Sequence, residues 1–361
     1  MDTQQLEDLP ATTSRVRFLA QFLKLTEPAF VRSMQIAGHS PSADNWQQFL
    51  ERLFLISGVT LCMVGVMSFF AFNWAALPYY YKLALPQGLM LIALVAAALR
   101  GLDNPLSKAL LLIASVCAGV GLAMVGQTYQ TGADPYSLFV AWAVLILAWV
   151  IAARSPGLWL LEIVVINLGF VLYWAQILHP PRWSGFDGSS PVARLFTQLL
   201  DFGLAQWLYL LNIIFLTAWE ALALRAATWM QGRTLPRILG FLVLGLIMAN
   251  TLSVIFVDHT HFAARAWLFS PLVYLLATVV GLWLYQFKRR DMFMLAILAF
   301  SIVVVISSLV IKLFISAGDM LHWDTGGFLF MFFFIGGTII GQIYLMARWL
   351  RSLRIKWRAT Q

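Results

Sequence analysis

Apolar stretches of bilayer-crossing length recur along the chain, separated by short polar connections. They run over Leu53–Phe72, Leu83–Leu99, Ser107–Val125, Leu138–Ala153, Gly157–Gln176, Ala205–Leu224, Pro236–Val257, Trp267–Gln286, Met292–Phe314 and Phe328–Arg348. A helix needs about 20 residues to cross the hydrocarbon layer, so the second and fourth stretches are short. Dropping either one alone would invert every later connection. The pattern therefore predicts an all-α, polytopic transmembrane helical bundle of about ten helices (residues 53–348). A short cytoplasmic helical head precedes it (1–52), and a basic amphipathic cytoplasmic tail follows (349–361).

In the head, Val16, Phe18, Leu19, Phe22 and Leu23 share one helical face, with Arg15, Arg17 and Lys24 off it. A loop is expected around Gly38-His39-Ser40-Pro41. Ser42 then caps a helix from Asn45 to Arg52 that runs directly into the first span. The polar head ahead of a long apolar run predicts an uncleaved first span. In the tail, Trp349, Leu350, Leu353 and Trp357 form an apolar stripe and Arg351, Arg354 and Arg358 a basic one. That pattern suits a helix bending onto anionic headgroups. Asp134-Pro135 and Ser155-Pro156 place a capping side chain before a proline suited to the first helical position, and Asp291 and Thr325 are similar starts without the proline.

Charge sets the orientation. Counting residues at span ends with the segment beside them, the head, every second connection and the C-terminal tail hold 19 of the 24 basic residues, and the other connections hold 5. Cytoplasmic segments carry such an excess, so both termini are expected inside the cell. Composition agrees: 61% of residues are hydrophobic and 11% charged, with mean hydropathy +0.81. A soluble domain carries roughly 25% charged residues. The formal charge of +8 is spread beside the spans and forms no stripe, which argues for membrane lipids and against nucleic acid as the partner. Cys62 and Cys117 fall inside spans and give neither a disulfide framework nor a metal signature.

Ionisable groups at depth are the first candidates for function, because such residues are expensive in lipid and face the bundle. Glu162 lies near the start of the fifth span and Glu220 near the end of the sixth. Each could bind a polar headgroup, couple to protons or simply hold helices together. Arg225 is five residues from Glu220, poor spacing for a pair on one helix face. Asn167 and Asn250 are expected to hydrogen-bond between helices. Gly337 and Gly341 form a GxxxG pair suited to close packing. On the outer side, Asp258, His259, His261 and His322 offer oxygen and imidazole ligands, a weak case for a divalent metal. HExxH, nucleophile-elbow and phosphate-loop motifs are absent from the sequence, so catalysis is the lesser expectation and no cofactor is implied.

Phe69-Phe70-Ala71-Phe72-Asn73-Trp74, Leu77-Pro78, Lys82-Leu83, Gly126-Gln127-Thr128-Tyr129-Gln130 and Asp134-Pro135 together resemble the bacterial predicted membrane proteins of the domain of unknown function 2157 family, over roughly Ser42 to Trp149. The resemblance implies a bacterial inner-membrane protein and supplies no activity. It singles out Asn73, Trp74, Gln127, Tyr129 and Gln130 as a shared structural or binding site, with Asp134 beside them. The leading expectation is a non-enzymatic protein that binds or moves a lipid or cell-envelope precursor. The first alternative is a scaffold or assembly subunit with a membrane-protein partner, or a homo-oligomer. The second is a metal-dependent membrane hydrolase acting at the outer face.

Overall fold

The computed structural model describes residues 11, 13–38, 40–73, 75–129, 132, 134–178, 202–225, 228–256, 266–321 and 325–359. Among these the regular structure is helical and no strand occurs. Among the described residues, ten helices are long and apolar enough to cross a membrane. The chain divides after Val120 into two compact units.

In the first unit, α1 (Thr13–Phe22) and α2 (Glu27–Ile36) pack on each other. Val16 is buried, while Phe18, Leu19 and Phe22 of the same expected face are exposed. The next helix, α3 (Ala43–Phe72), starts at Ser42, whose hydroxyl accepts from the Asn45 amide at 3.2 Å. It continues for 30 residues, so the end of the head and the first span are one helix, as expected. Asn73 closes it: its side-chain Nδ2 and its backbone N both donate to the Phe69 carbonyl, at 2.9 and 3.0 Å. α4 (Tyr79–Arg100) and α5 (Pro105–Thr128) follow, the latter running on into the second unit.

The second unit holds α6 (Pro135–Ala153), α7 (Pro156–Tyr173), α8 (Phe202–Leu224), α9 (Thr234–Phe256), α10 (Ala266–Trp283), α11 (Met292–Leu321) and α12 (Thr325–Ala359). The short fourth stretch gains a turn at its start. At 19 residues α6 is about 28 Å long, close to the hydrocarbon thickness. Prolines occupy the first positions of α6 and α7, but Asp134 and Ser155 make no side-chain capping bond. The turn between these helices is so tight that Arg154 takes a left-handed backbone (φ 48°).

Consecutive helices pack in pairs, α6 on α7 and α8 on α9, and α9 also contacts α7, α10 and α11. α9 is accordingly the central helix of this unit, with Leu239, Val243 and Ile247 in its buried face. The largest apolar cluster joins Tyr209, Ile247, Tyr285, Leu295 and Leu353. Trp349, Leu350 and Trp357 pack against it, so the apolar stripe near the C terminus lies on protein. α12 itself continues as a single 35-residue helix. A Cβ at Gly337 or Gly341 would meet nothing within 4 Å, so the GxxxG face of α12 packs on no described residue.

Candidate functional site

Three carboxylates are buried among the described residues, Glu162, Glu220 and Asp291, and their surroundings divide them sharply. Glu220, in the last turns of α8, receives Nη1 of Arg233 at 3.0 and 3.1 Å, Nε of Arg289 at 2.9 Å and the Tyr285 hydroxyl at 3.2 Å. Asp291 receives Nε of Arg233 at 2.8 Å and both Nε and Nη2 of Arg237 at 3.1 and 3.2 Å. Its Oδ1 also accepts from the amides of Phe293 and Met294, capping α11 as the sequence anticipated.

Arg290, at φ 33°, turns the chain between Arg289, which donates to Glu220, and Asp291, which accepts from Arg233. Tyr285 comes from a π-helical turn, Leu284–Lys288, that ends α10. Burial drives the Asp291 carboxyl upward, but hydrogen bonds from Arg237 and Arg233 and the charge of Arg233 outweigh it and hold the group below the ordinary carboxylate range. Burial alone would lower Arg233, yet Asp291 and Glu220 raise it. Three arginines against two carboxylates leave one positive charge, with Arg233 Nη2 and Arg289 Nη2 buried and lacking an acceptor among the described residues. This network ties the ends of α8, α9, α10 and α11 together, which explains Glu220 as structure. Arg225 is not among its partners.

Glu162 has no such company. It sits in the second turn of α7, 2% exposed, and its Oε2 is buried without a hydrogen-bond partner. Leaving an ionised group in that state is costly by several kcal/mol. The carboxyl lies in the wall of a cavity of about 660 Å³ between α6 and α7. Periodicity builds that wall. Tyr136, Phe139, Val140, Ala143, Val144 and Leu147 recur at helical spacing along α6, and Trp159, Glu162, Ile166, Gly169, Phe170 and Tyr173 along α7. Phe215 of α8 completes it.

The two helices approach so closely that a Cβ on Gly169 would stand 3.2 Å from Phe139 Cβ. Tyr136 and Tyr173 meet edge to face at 5.2 Å. Beside them the π-helical turn Trp174–Leu178 presents Gln176, whose Oε1 accepts from the Tyr136 amide at 3.4 Å. Near Glu162, Trp159 stacks edgewise on Trp219 at 6.4 Å, and its indole Nε1 is also buried without a partner. Val140 and Val144 are exposed, so the α6 wall reaches the surface that lipid would cover.

The sequence candidates fall in several places. Asn73 caps α3. Gln127 and Asp134 line a second cavity of about 460 Å³, with Gly126, Gly132 and Ser137, where α5 hands over to α6. Tyr129 is exposed. Trp74, Gln130, Asp258, His259, His261 and His322 lie outside the described residues, as does the connection from His179 to Asp201. No metal-binding group of three His, Cys, Asp or Glu side chains occurs among the described residues. Asn167 pairs with Asn212, each Nδ2 donating to the other's Oδ1 at 3.2 and 2.6 Å. Asn212 was not anticipated, although an amide at mid-span was the available signal.

Ten apolar helices and a bundle stitched by buried polar pairs define a multi-pass helical membrane protein. Residues 29–159 of the chain match the family model described as predicted membrane protein (DUF2157), from α2 to the first turn of α7. No curated protein and no solved structure matches the chain.

Proposed function

We propose that this membrane protein binds, and by doing so sequesters or moves, an amphiphilic component of the cell envelope in the cavity between α6 and α7. The observation that carries the reading is the buried Glu162 carboxyl, with one unpartnered oxygen, in an otherwise apolar and aromatic wall. Ligand sites combine an apolar lining with a few convergent polar groups in cavities of about 300–1,000 Å³. Glu162 and the Trp159 indole, one helical turn apart, supply the polar pair, and the exposed flank of α6 supplies a lateral entrance from the bilayer.

The arrangement within the cell follows from the basic residues. An even number of crossings with arginine-rich connections inside supports both termini in the cytoplasm, and the likeness to the predicted-membrane-protein family supports a bacterial inner membrane. Glu162 and the arginine network then lie in the inner-leaflet half.

The test is mass spectrometry of amphiphiles retained after gentle extraction, comparing the native chain with Ala143→Trp, which fills the cavity from α6. A retained species lost in that variant supports the reading. Equal retention in both, or none in the native chain, overturns it.

A further inference from the structure

Resting on that reading, we infer that the cavity's ligand is a lipophilic cation: a bulky apolar body whose single positive charge stands against Glu162. Among the described residues Glu162 is the sole carboxylate in the wall, and none of those lining it is Lys, Arg or His. An anionic headgroup would therefore find no counter-charge among the described lining residues, whereas a cation offsets the cost of ionising Glu162. The contrast with the other buried carboxylates is direct. Glu220 and Asp291 are each held by two arginines, whereas Oε2 of Glu162, equally buried, has nothing.

The rest of the wall suits the same ligand. Aromatic rings of Tyr136, Phe139, Trp159, Phe170, Tyr173 and Phe215 surround the space. Ring faces attract a cation, more strongly where water is excluded. A quaternary or bulky onium centre also needs no hydrogen-bond acceptors, of which this wall has few. The volume, about 660 Å³, fits a drug-sized molecule.

The experiment uses two ions of one shape and opposite charge, tetraphenylphosphonium and tetraphenylborate, in equilibrium dialysis against the full chain in nanodiscs, with empty nanodiscs as the partition control. Saturable binding of tetraphenylphosphonium is expected, with no saturable binding of tetraphenylborate. Glu162→Gln should weaken the cation about tenfold or more, and Glu162→Asp, which keeps the charge, should restore much of it. Equal binding of both ions, or an affinity unchanged in Glu162→Gln, overturns the inference. Should a native amphiphile be retained in the cavity while tetraphenylphosphonium neither binds nor displaces it, the cation inference falls and the amphiphile reading stands. If nothing is retained and neither ion binds, both fall.

Discussion

Asp291→Ala removes, in one side chain, the acceptor of three arginine donors and the N-terminal cap of α11. The cap alone is worth about 1 kcal/mol. Arg237 is 43% exposed along its side chain and can turn to water, so its lost pair adds little. Arg233 is 20% exposed and would keep only Glu220, which it already shares with Arg289. Removing one partner of a buried pair costs roughly 3–5 kcal/mol, and the partial exposure of Arg233 places this case at the low end. A loss of about 3–4 kcal/mol is expected for Asp291→Ala.

Asp291→Asn, which retains an oxygen for the cap, should lose about 1 kcal/mol less. The assay is reversible unfolding in mixed micelles followed by helicity. Asp291→Ala within about 0.5 kcal/mol of the native chain, the size of an ordinary surface change, would refute the reasoning. The pH dependence has a definite sign. Asp291 titrates lower in the folded protein than its ordinary value, so its contribution is complete above about pH 4 and lost as pH falls through the depressed folded value. The native chain should weaken in that acid window, and Asp291→Asn should show a smaller acid loss there.

Three further outcomes are open to measurement. Asn167→Leu and Asn212→Leu each strand one amide of a reciprocal pair, so a double-mutant cycle should give a coupling of about 0.6–1.7 kcal/mol, whereas additivity would dismiss the pair as a helix clamp. Gly169→Val drives a methyl-bearing carbon into Phe139; it should destabilise by about 1–3 kcal/mol and reduce amphiphile retention, and an unchanged melting temperature would contradict the close approach of α6 and α7. With Cys62 and Cys117 replaced, Gln361→Cys should react with an impermeant maleimide in inside-out vesicles and not in intact cells, and the reverse pattern would invert the proposed sidedness.

Much of the bundle was legible because spans announce themselves by length and apolarity, and their ends by proline and capping residues. The α6 wall of the cavity was not read: Tyr136, Phe139, Val140, Ala143, Val144 and Leu147 repeat at helical spacing, but in an apolar run nothing distinguishes a cavity face from a lipid face. What the sequence hid is pairing at a distance. Arg233, Arg237 and Arg289 read as part of the inside-positive excess, and that explanation sufficed without their carboxylates. Glu220 finds its charge not five residues along its own helix but just past the π-helical turn that ends α10 and just ahead of α9, which only tertiary packing brings together. Glu162 and Glu220 look alike as isolated acids in apolar runs, and only their neighbours separate a structural carboxylate from one with a vacant oxygen. Asn73 illustrates the converse. A residue marked out by family resemblance also closes the end of α3 through a local bond to Phe69.

The most direct test of the central claim is an electron cryo-microscopy map of the full chain purified with its native lipids. The account predicts density for an amphiphilic molecule between α6 and α7, its charged end within about 4–6 Å of the Glu162 carboxylate. A cavity filled by the protein's own side chains, with Glu162 hydrogen-bonded to one of them, would contradict it.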